Sequence, residues 1–133
     1  MNRVTALRAR DFMTPHLVTL RPDMELMDAI KLLLEKQISG APVVDAQGNL
    51  VGILTERDCL AQVIVASYHG EAAGRVTEVM GHDVQTVDAD ASLMDIAQSF
   101  VKAKYRRYPV MDGNRLVGII SRRDVLRAAL ELS

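Results

Sequence analysis

The sequence predicts a mixed α/β (α+β) fold, built from two tandem βαββα repeats packed sheet to sheet about a pseudo-two-fold axis. Three observations carry this. The chain of 133 residues repeats itself. Within each copy the spacing of apolar residues switches between helical and extended. The candidate strands are apolar at consecutive positions, so both faces of each small sheet need cover.

The repeat is read position by position. Residues 11–60 lie over residues 78–126. Met13 falls on Met80, Thr19 on Thr86, Asp23 on Asp90, and Leu26-Met27-Asp28 on Leu93-Met94-Asp95. Pro42-Val43 falls on Pro109-Val110 and Asp45 on Asp112. One residue is then lost, in a Gly/Asn turn, where length changes are tolerated. After it Leu50-Val51-Gly52-Ile53 falls on Leu116-Val117-Gly118-Ile119, Thr55 on Ser121 and Asp58 on Asp124. An order of matches this long, interrupted only in a turn, is a duplication.

Each copy opens on a short extended piece, 17–20 or 84–87. A helix follows, with Leu26, Ala29, Ile30, Leu33 and Leu34 or Leu93, Ile96, Ala97, Phe100 and Val101 at helical spacing. Ser92 and Asp95 have the spacing to cap the second of these. A strand at 41–44 or 108–111, a turn and a strand at 50–54 or 116–120 form a hairpin. A last helix starts at Thr55 or Ser121. The first copy's last helix is expected to end near Ala66, and Gly70 and Gly74 mark a linker. The expected division is a lead at 1–10, a first repeat at 11–66, a linker at 67–76 and a second repeat at 77–133. A unit of about 60 residues is marginal alone, so the copies are expected to lean on each other with paired clefts at their junction.

Composition narrows the function. A net charge of −1 gives no global steering toward nucleic acid or anionic lipid. The cluster Lys102, Lys104, Arg106 and Arg107, with Tyr105 its one interleaved aromatic and no docking motif, is weak evidence for a nucleic-acid surface. The one cysteine, Cys59, has no disulfide partner in the chain and reads as packed. His16, His69 and His82 are scattered without metal-ligand spacing and read as surface or loop residues. The seven methionines read as core filler. No apolar run approaches the ~18–20 residues of a membrane span, and no signal-peptide core follows Met1. A cytoplasmic protein is expected. No nucleophile–base pair, metal cluster or phosphate-cradling loop is present, so an enzyme is not expected.

The motifs Ser39-Gly40-Ala41-Pro42-Val43-Val44-Asp45 and Gly52-Ile53-Leu54-Thr55-Glu56-Arg57-Asp58, with Tyr105-Arg106-Arg107-Tyr108-Pro109-Val110 and Gly118-Ile119-Ile120-Ser121-Arg122-Arg123-Asp124 in the second copy, resemble the CBS domain family, whose tandem pair is called a Bateman module. The resemblance covers nearly the whole chain. It implies a regulatory module that needs no cofactor and binds an adenosine-containing molecule between its repeats: AMP, ADP or ATP first, S-adenosylmethionine or NAD as further candidates. It also implies a homodimer, and a regulated protein partner reached in trans, whose identity the sequence does not give.

Thr55-x-x-Asp58 and Ser121-x-x-Asp124 are the sharpest chemical features. A hydroxyl three positions before a carboxylate at a strand-to-helix junction is a capping box. The same junction offers free amides to an anion, and a carboxylate there accepts from ribose hydroxyls. By resemblance, Asp58 and Asp124 bind ribose, and Thr55 and Ser121 bond to ribose or phosphate. Thr19 and Thr86, read as closing each first strand, are ordinary strand residues from the sequence and ligand contacts by resemblance. So are the residues around each proline: Gly40, Ala41 and Pro42 in copy one, and Arg106, Arg107, Tyr108 and Pro109 in copy two, lining a base pocket with backbone groups. Only copy two places arginines there. Guanidinium groups suit phosphate, and strand alternation favours one of the pair, Arg107 by resemblance. The other reading is a solvated edge. Arg57, Arg122 and Arg123 stand in first helical turns, where cations are mildly unfavourable; phosphate or surface solubility would explain them. The competing function is a ligand-free interaction and dimerisation module of the same fold.

Overall fold

A computed structural model describes residues 7–15 and 17–131; the reading of His16 lies outside them. The chain forms two compact units. One is Val18–Val84; the other joins the residues through Leu17 to those from Gln85 onward.

In the unit Val18–Val84, helix α2 (Leu26–Lys36) buries Leu26, Ala29 and Leu33 of its expected face, whereas Ile30 is half-buried and Leu34 is exposed, as Val101 is in the second copy. Gln37 ends it in the left-handed region, at φ 56°. Strands β1 (Gly40–Val44) and β2 (Leu50–Thr55) pair antiparallel, with Pro42 opposite Ile53 and Gly40 opposite Thr55. Asp45 shapes the turn by accepting from the backbone N–H groups of Gln47 and Asn49, and Gly48 supplies the positive φ of 86°. Helix α3 (Glu56–His69) follows directly and ends at Gly70 in the left-handed region. It runs three residues past the expected end at Ala66. A four-residue helix, α4 (Val76–Val79), closes the unit. The core gathers Leu20, Leu26, Leu33, Val43, Leu54, Cys59, Val76 and Met80.

The other unit repeats this plan. Helix α1 (Ala9–Phe12) is again one turn long. Strand β3 (Val87–Asp88) pairs parallel with β4 (Arg107–Asp112), which pairs antiparallel with β5 (Arg115–Ser121). Gly113 and Asn114 make the two-residue loop of this hairpin, with Gly113 at φ 60°. Helix α5 (Leu93–Lys102) is capped by Ser92, whose Oγ accepts from the Asp95 N–H at 3.1 Å. Helix α6 (Arg122–Glu131) completes the unit. Leu93, Ile96, Phe100, Tyr108, Val110 and Ile120 form the core.

Two features differ from the sequence reading. The expected opening strands are nearly absent: Leu20 makes a single parallel bridge to Val43, and the second strand sits at 87–88, not 84–87. Proline explains both. Leu20 donates to the Pro42 carbonyl and accepts from the Val44 N–H. The next bond toward the N-terminus would need an N–H from Pro42, which has none. Pro109 stands in the same place in the second copy. Thr19 and Thr86 therefore precede the ladder and are exposed.

The second difference is an exchange. The segment that opens each sequence repeat packs in the unit of the other. Thr14 bonds in both directions with Ile119, and Gly81 in both directions with Ile53. Met13 and Met80 lie over Gly118 and Gly52, where an added Cβ would come within 2.5 and 2.6 Å of the methionine sulfurs. Each glycine is the space its methionine fills.

Candidate functional site

The two sites grow from the same local structure. A strand ends on a hydroxyl residue and a helix begins at once, so the hydroxyl becomes the N-cap. In the first repeat the Asp58 N–H donates to Thr55 Oγ1 at 3.2 Å. Asp58 Oδ2 accepts from the Thr55 N–H at 3.0 Å and from its hydroxyl at 2.9 Å. In the second repeat the Asp124 N–H donates to Ser121 Oγ at 3.2 Å, and Asp124 Oδ2 accepts from the Ser121 N–H at 2.8 Å and its hydroxyl at 3.0 Å. The capping reading is realised at both positions. It uses one carboxylate oxygen and leaves the other.

The sites diverge at that other oxygen. Asp124 Oδ1 accepts from Arg127 at 2.6 Å. Asp58 Oδ1 has no protein donor among the described residues, because Ala61 stands where the second repeat has Arg127. Asp124 is buried, at 4% exposure, whereas Asp58 is half-buried. Sequence reading missed Arg127. The i, i+3 spacing from a capping carboxylate to an arginine on the same helix was the available signal.

The residues before each proline sit beside these caps. Arg107 is the cross-strand partner of Ser121, and Gly40 of Thr55. Directly opposed residues share a face of the sheet. Arg107 thus stands by the Ser121–Asp124 cap, half-buried, with no hydrogen bond or ion pair on its guanidinium among the described residues. Arg106 is exposed and lies just outside the strand. Gly40 brings no charge to the first cap, and an added Cβ there would meet the Leu54 carbonyl at 3.0 Å. Ala41, Pro42 and Pro109 are buried. Tyr108 turns its ring into the core, 4.7 Å from Phe100, and its hydroxyl bonds Ser99 Oγ at 2.8 Å. It can offer a site only its backbone.

Of the helix-start arginines, Arg57 and Arg123 are exposed, without a partner among the described residues. Arg122 is structural. It donates to the carbonyls of Tyr105 and Ala103 at 3.1 and 3.4 Å, holding the segment after α5. Cys59 is buried, and burial, with Asp58 and Glu56 nearby, pushes its thiol pKa up. The described residues hold no cluster of His, Cys, Asp or Glu that could take a metal ion. None of their helices is long and apolar enough to cross a membrane.

Charge is also divided. The unit Val18–Val84 carries five Lys/Arg against ten Asp/Glu, and the rest of the chain eleven against seven. The near-neutral total conceals one acidic and one basic half.

The CBS domain profile matches residues 9–64 and 76–131. The chain belongs to the CBS domain family. Each match contains one strand–turn–strand and the capped start of the helix that follows it. Among curated relatives, the chloroplastic CBS domain-containing protein CBSX2 of Arabidopsis thaliana is 30% identical over 92% of this chain. The CBS domain-containing protein YhcV of Bacillus subtilis is 32% identical over 87%. The chain spans 63% of the length of the first and 81% of the second. Among solved structures, CBSX2 in complex with AMP superposes with a TM-score of 0.83 at 34% identity, covering 94% of this chain and 97% of that one. The CBS domain pair of protein MJ0100, in complex with 5′-methylthioadenosine and S-adenosyl-L-methionine, gives 0.78 at 26% identity, covering 96% and 98%.

Proposed function

We propose that this CBS pair is a regulatory module that binds an adenosine-containing nucleotide, with AMP, ADP or ATP as the leading ligands, and transmits its occupancy to a partner protein in trans or through a homo-oligomer. The observation that carries the reading is the second-repeat constellation. A buried carboxylate, Asp124, is fixed at a helix start, and Arg107, without a partner among the described residues, lies across the strand from its capping hydroxyl. A carboxylate accepts from ribose hydroxyls, and a guanidinium binds phosphate bidentately. The solved relatives with AMP and with 5′-methylthioadenosine and S-adenosyl-L-methionine support the same ligand class. The positive balance of this half favours an anionic ligand. Regulation of this kind makes and breaks no covalent bond in the ligand. A cytoplasmic setting belongs to the same proposal.

The homodimer is supported by helix α3. It exposes Leu60, Ile64 and Tyr68 at 64%, 61% and 87%, four residues apart on one face. A stripe of this kind on a charged protein marks a contact surface.

One observation favours the second reading, a ligand-free interaction module. Both capping boxes are complete without any ligand. Native mass spectrometry on protein purified from its own cells separates the two. A co-purifying adenine nucleotide supports the sensor. Unliganded protein that also binds no added nucleotide supports the scaffold.

A further inference from the structure

The two sites differ most at a single bond inside the carboxylate's own shell. A ribose presents two vicinal hydroxyl donors and needs two acceptor positions. In the first repeat Asp58 keeps Oδ1 clear of protein donors among the described residues. In the second repeat both oxygens of Asp124 are engaged, Oδ2 by Ser121 and Oδ1 by Arg127 at 2.6 Å. The two members of that ion pair are unequal. The Asp124 side chain is 6% exposed and held in a cap, whereas the Arg127 side chain is 57% exposed and able to swing away.

We propose that Arg127 is a specificity-determining residue of the second-repeat site: it holds Asp124 Oδ1 against neutral nucleosides and yields to ligands that carry a phosphate. The inference rests on the nucleotide-binding reading above. Ser121 fills both acceptor positions of Oδ2 and Arg127 one of the two on Oδ1, so a neutral nucleoside can place both ribose hydroxyls on Asp124 only by displacing Arg127 and returning nothing to it. A phosphorylated ligand brings a replacement acceptor that suits a planar guanidinium. Arg107, without a partner of its own among the described residues, adds a second cation at the same cap. Binding then exchanges one anion for another, and the ion pair is not simply lost. In the first repeat, Ala61 imposes no such exchange, and Gly40 supplies no cation. The first site should therefore discriminate little between a nucleoside and its phosphate. The duplication would then hold two sites of different selectivity.

Calorimetric titration with AMP and adenosine tests this in the full chain. An Asp58→Asn background weakens the first site while keeping an oxygen for its cap. Arg127→Ala and Arg127→Lys are added to that background, with a thermal melt to verify folding. Removing Arg127 should tighten adenosine about fivefold, the upper end of what a partly exposed ion pair is worth. AMP should not tighten, so the AMP-to-adenosine preference falls at least fivefold. Lysine should restore most of the preference. A preference unchanged within twofold, with AMP binding intact, would overturn the inference and leave the nucleotide reading standing. Unmodified protein that binds neither ligand would overturn the nucleotide reading, and this inference with it.

Discussion

Asp124 is asked to do two things, and a substitution can separate them. As a cap it satisfies the Ser121 N–H and hydroxyl, so Asp124→Ala should cost about 1 kcal/mol in denaturant unfolding. As a ligand contact it should weaken AMP by far more than that stability loss explains. If stability falls and affinity does not, Asp124 is only a cap. Asp58→Ala provides the matched control in the more open site.

Cys59 gives a second test at this scale. Burial raises its thiol pKa, so the neutral thiol prevails at neutral pH and only unfolding exposes it. Iodoacetamide should label the native protein far more slowly than the denatured one. Comparable rates would contradict the packed reading.

Two exposed carboxylates set the sign of the acid response. Arg10 donates to Asp90 and holds its pKa below the usual range. The Asn49 backbone N–H, followed by its side chain, does so for Asp45. A carboxylate lowered on folding contributes stability above its unfolded pKa and loses it as pH falls through the folded one. Melting temperature should therefore decline on acidification below the ordinary aspartate range. Replacing Asp90 with Asn should flatten part of that decline; an unaltered profile would contradict the assignment.

At the scale of elements, the legible parts were those with a long periodic signal. Helices α2 and α5 and both hairpins lie where apolar spacing and turn residues put them. The one-turn helices α1 and α4 are too short to show a period, so the sequence reading did not anticipate them. The opening strands were overread because Thr19 and Thr86 look like strand residues. Their ladder stops at prolines that were visible in the sequence but not yet paired with anything. The exchange of opening segments was out of reach for the same reason. Nothing local says that Met13 fills the space over Gly118 and Met80 the space over Gly52. Those contacts are testable. Gly118→Ala places a Cβ 2.9 Å from the Thr14 carbonyl and should destabilise the protein by about 1–3 kcal/mol. A neutral outcome in urea unfolding would mean that the segment is not docked as described.

The capping hydroxyls and carboxylates were legible because a cap is a short-range pattern. Arg107 beside Ser121 was legible only through resemblance, since the pairing joins residues fourteen positions apart. Arg127 was missed because an arginine inside a polar helix carries no signal until its carboxylate partner is seen to be buried.

For the whole molecule, duplication supplied two copies of one capped junction, and later substitutions made them unequal. One half is acidic and uncharged at its pre-proline residues. The other is basic, with Arg107 by its cap and Arg127 on its carboxylate. The exposed stripe on α3 belongs to this scale too. Ile64→Glu should convert a dimer to monomer in sedimentation while the chain stays folded, because Ile64 is already 61% exposed within it. A wild-type monomer would remove the homodimer from the proposal.

The central claim is that the second repeat binds an adenine nucleotide through Asp124 and Arg107. Calorimetric titration of AMP into the wild-type protein and into Arg107→Ala, a residue outside both caps, tests it most directly. Saturable binding by wild type, weakened about tenfold or more in the variant, is the predicted result, on the scale of one charge-assisted contact to phosphate. Folded wild-type protein that gives no heat with AMP, or equal affinity in the two proteins, would contradict it.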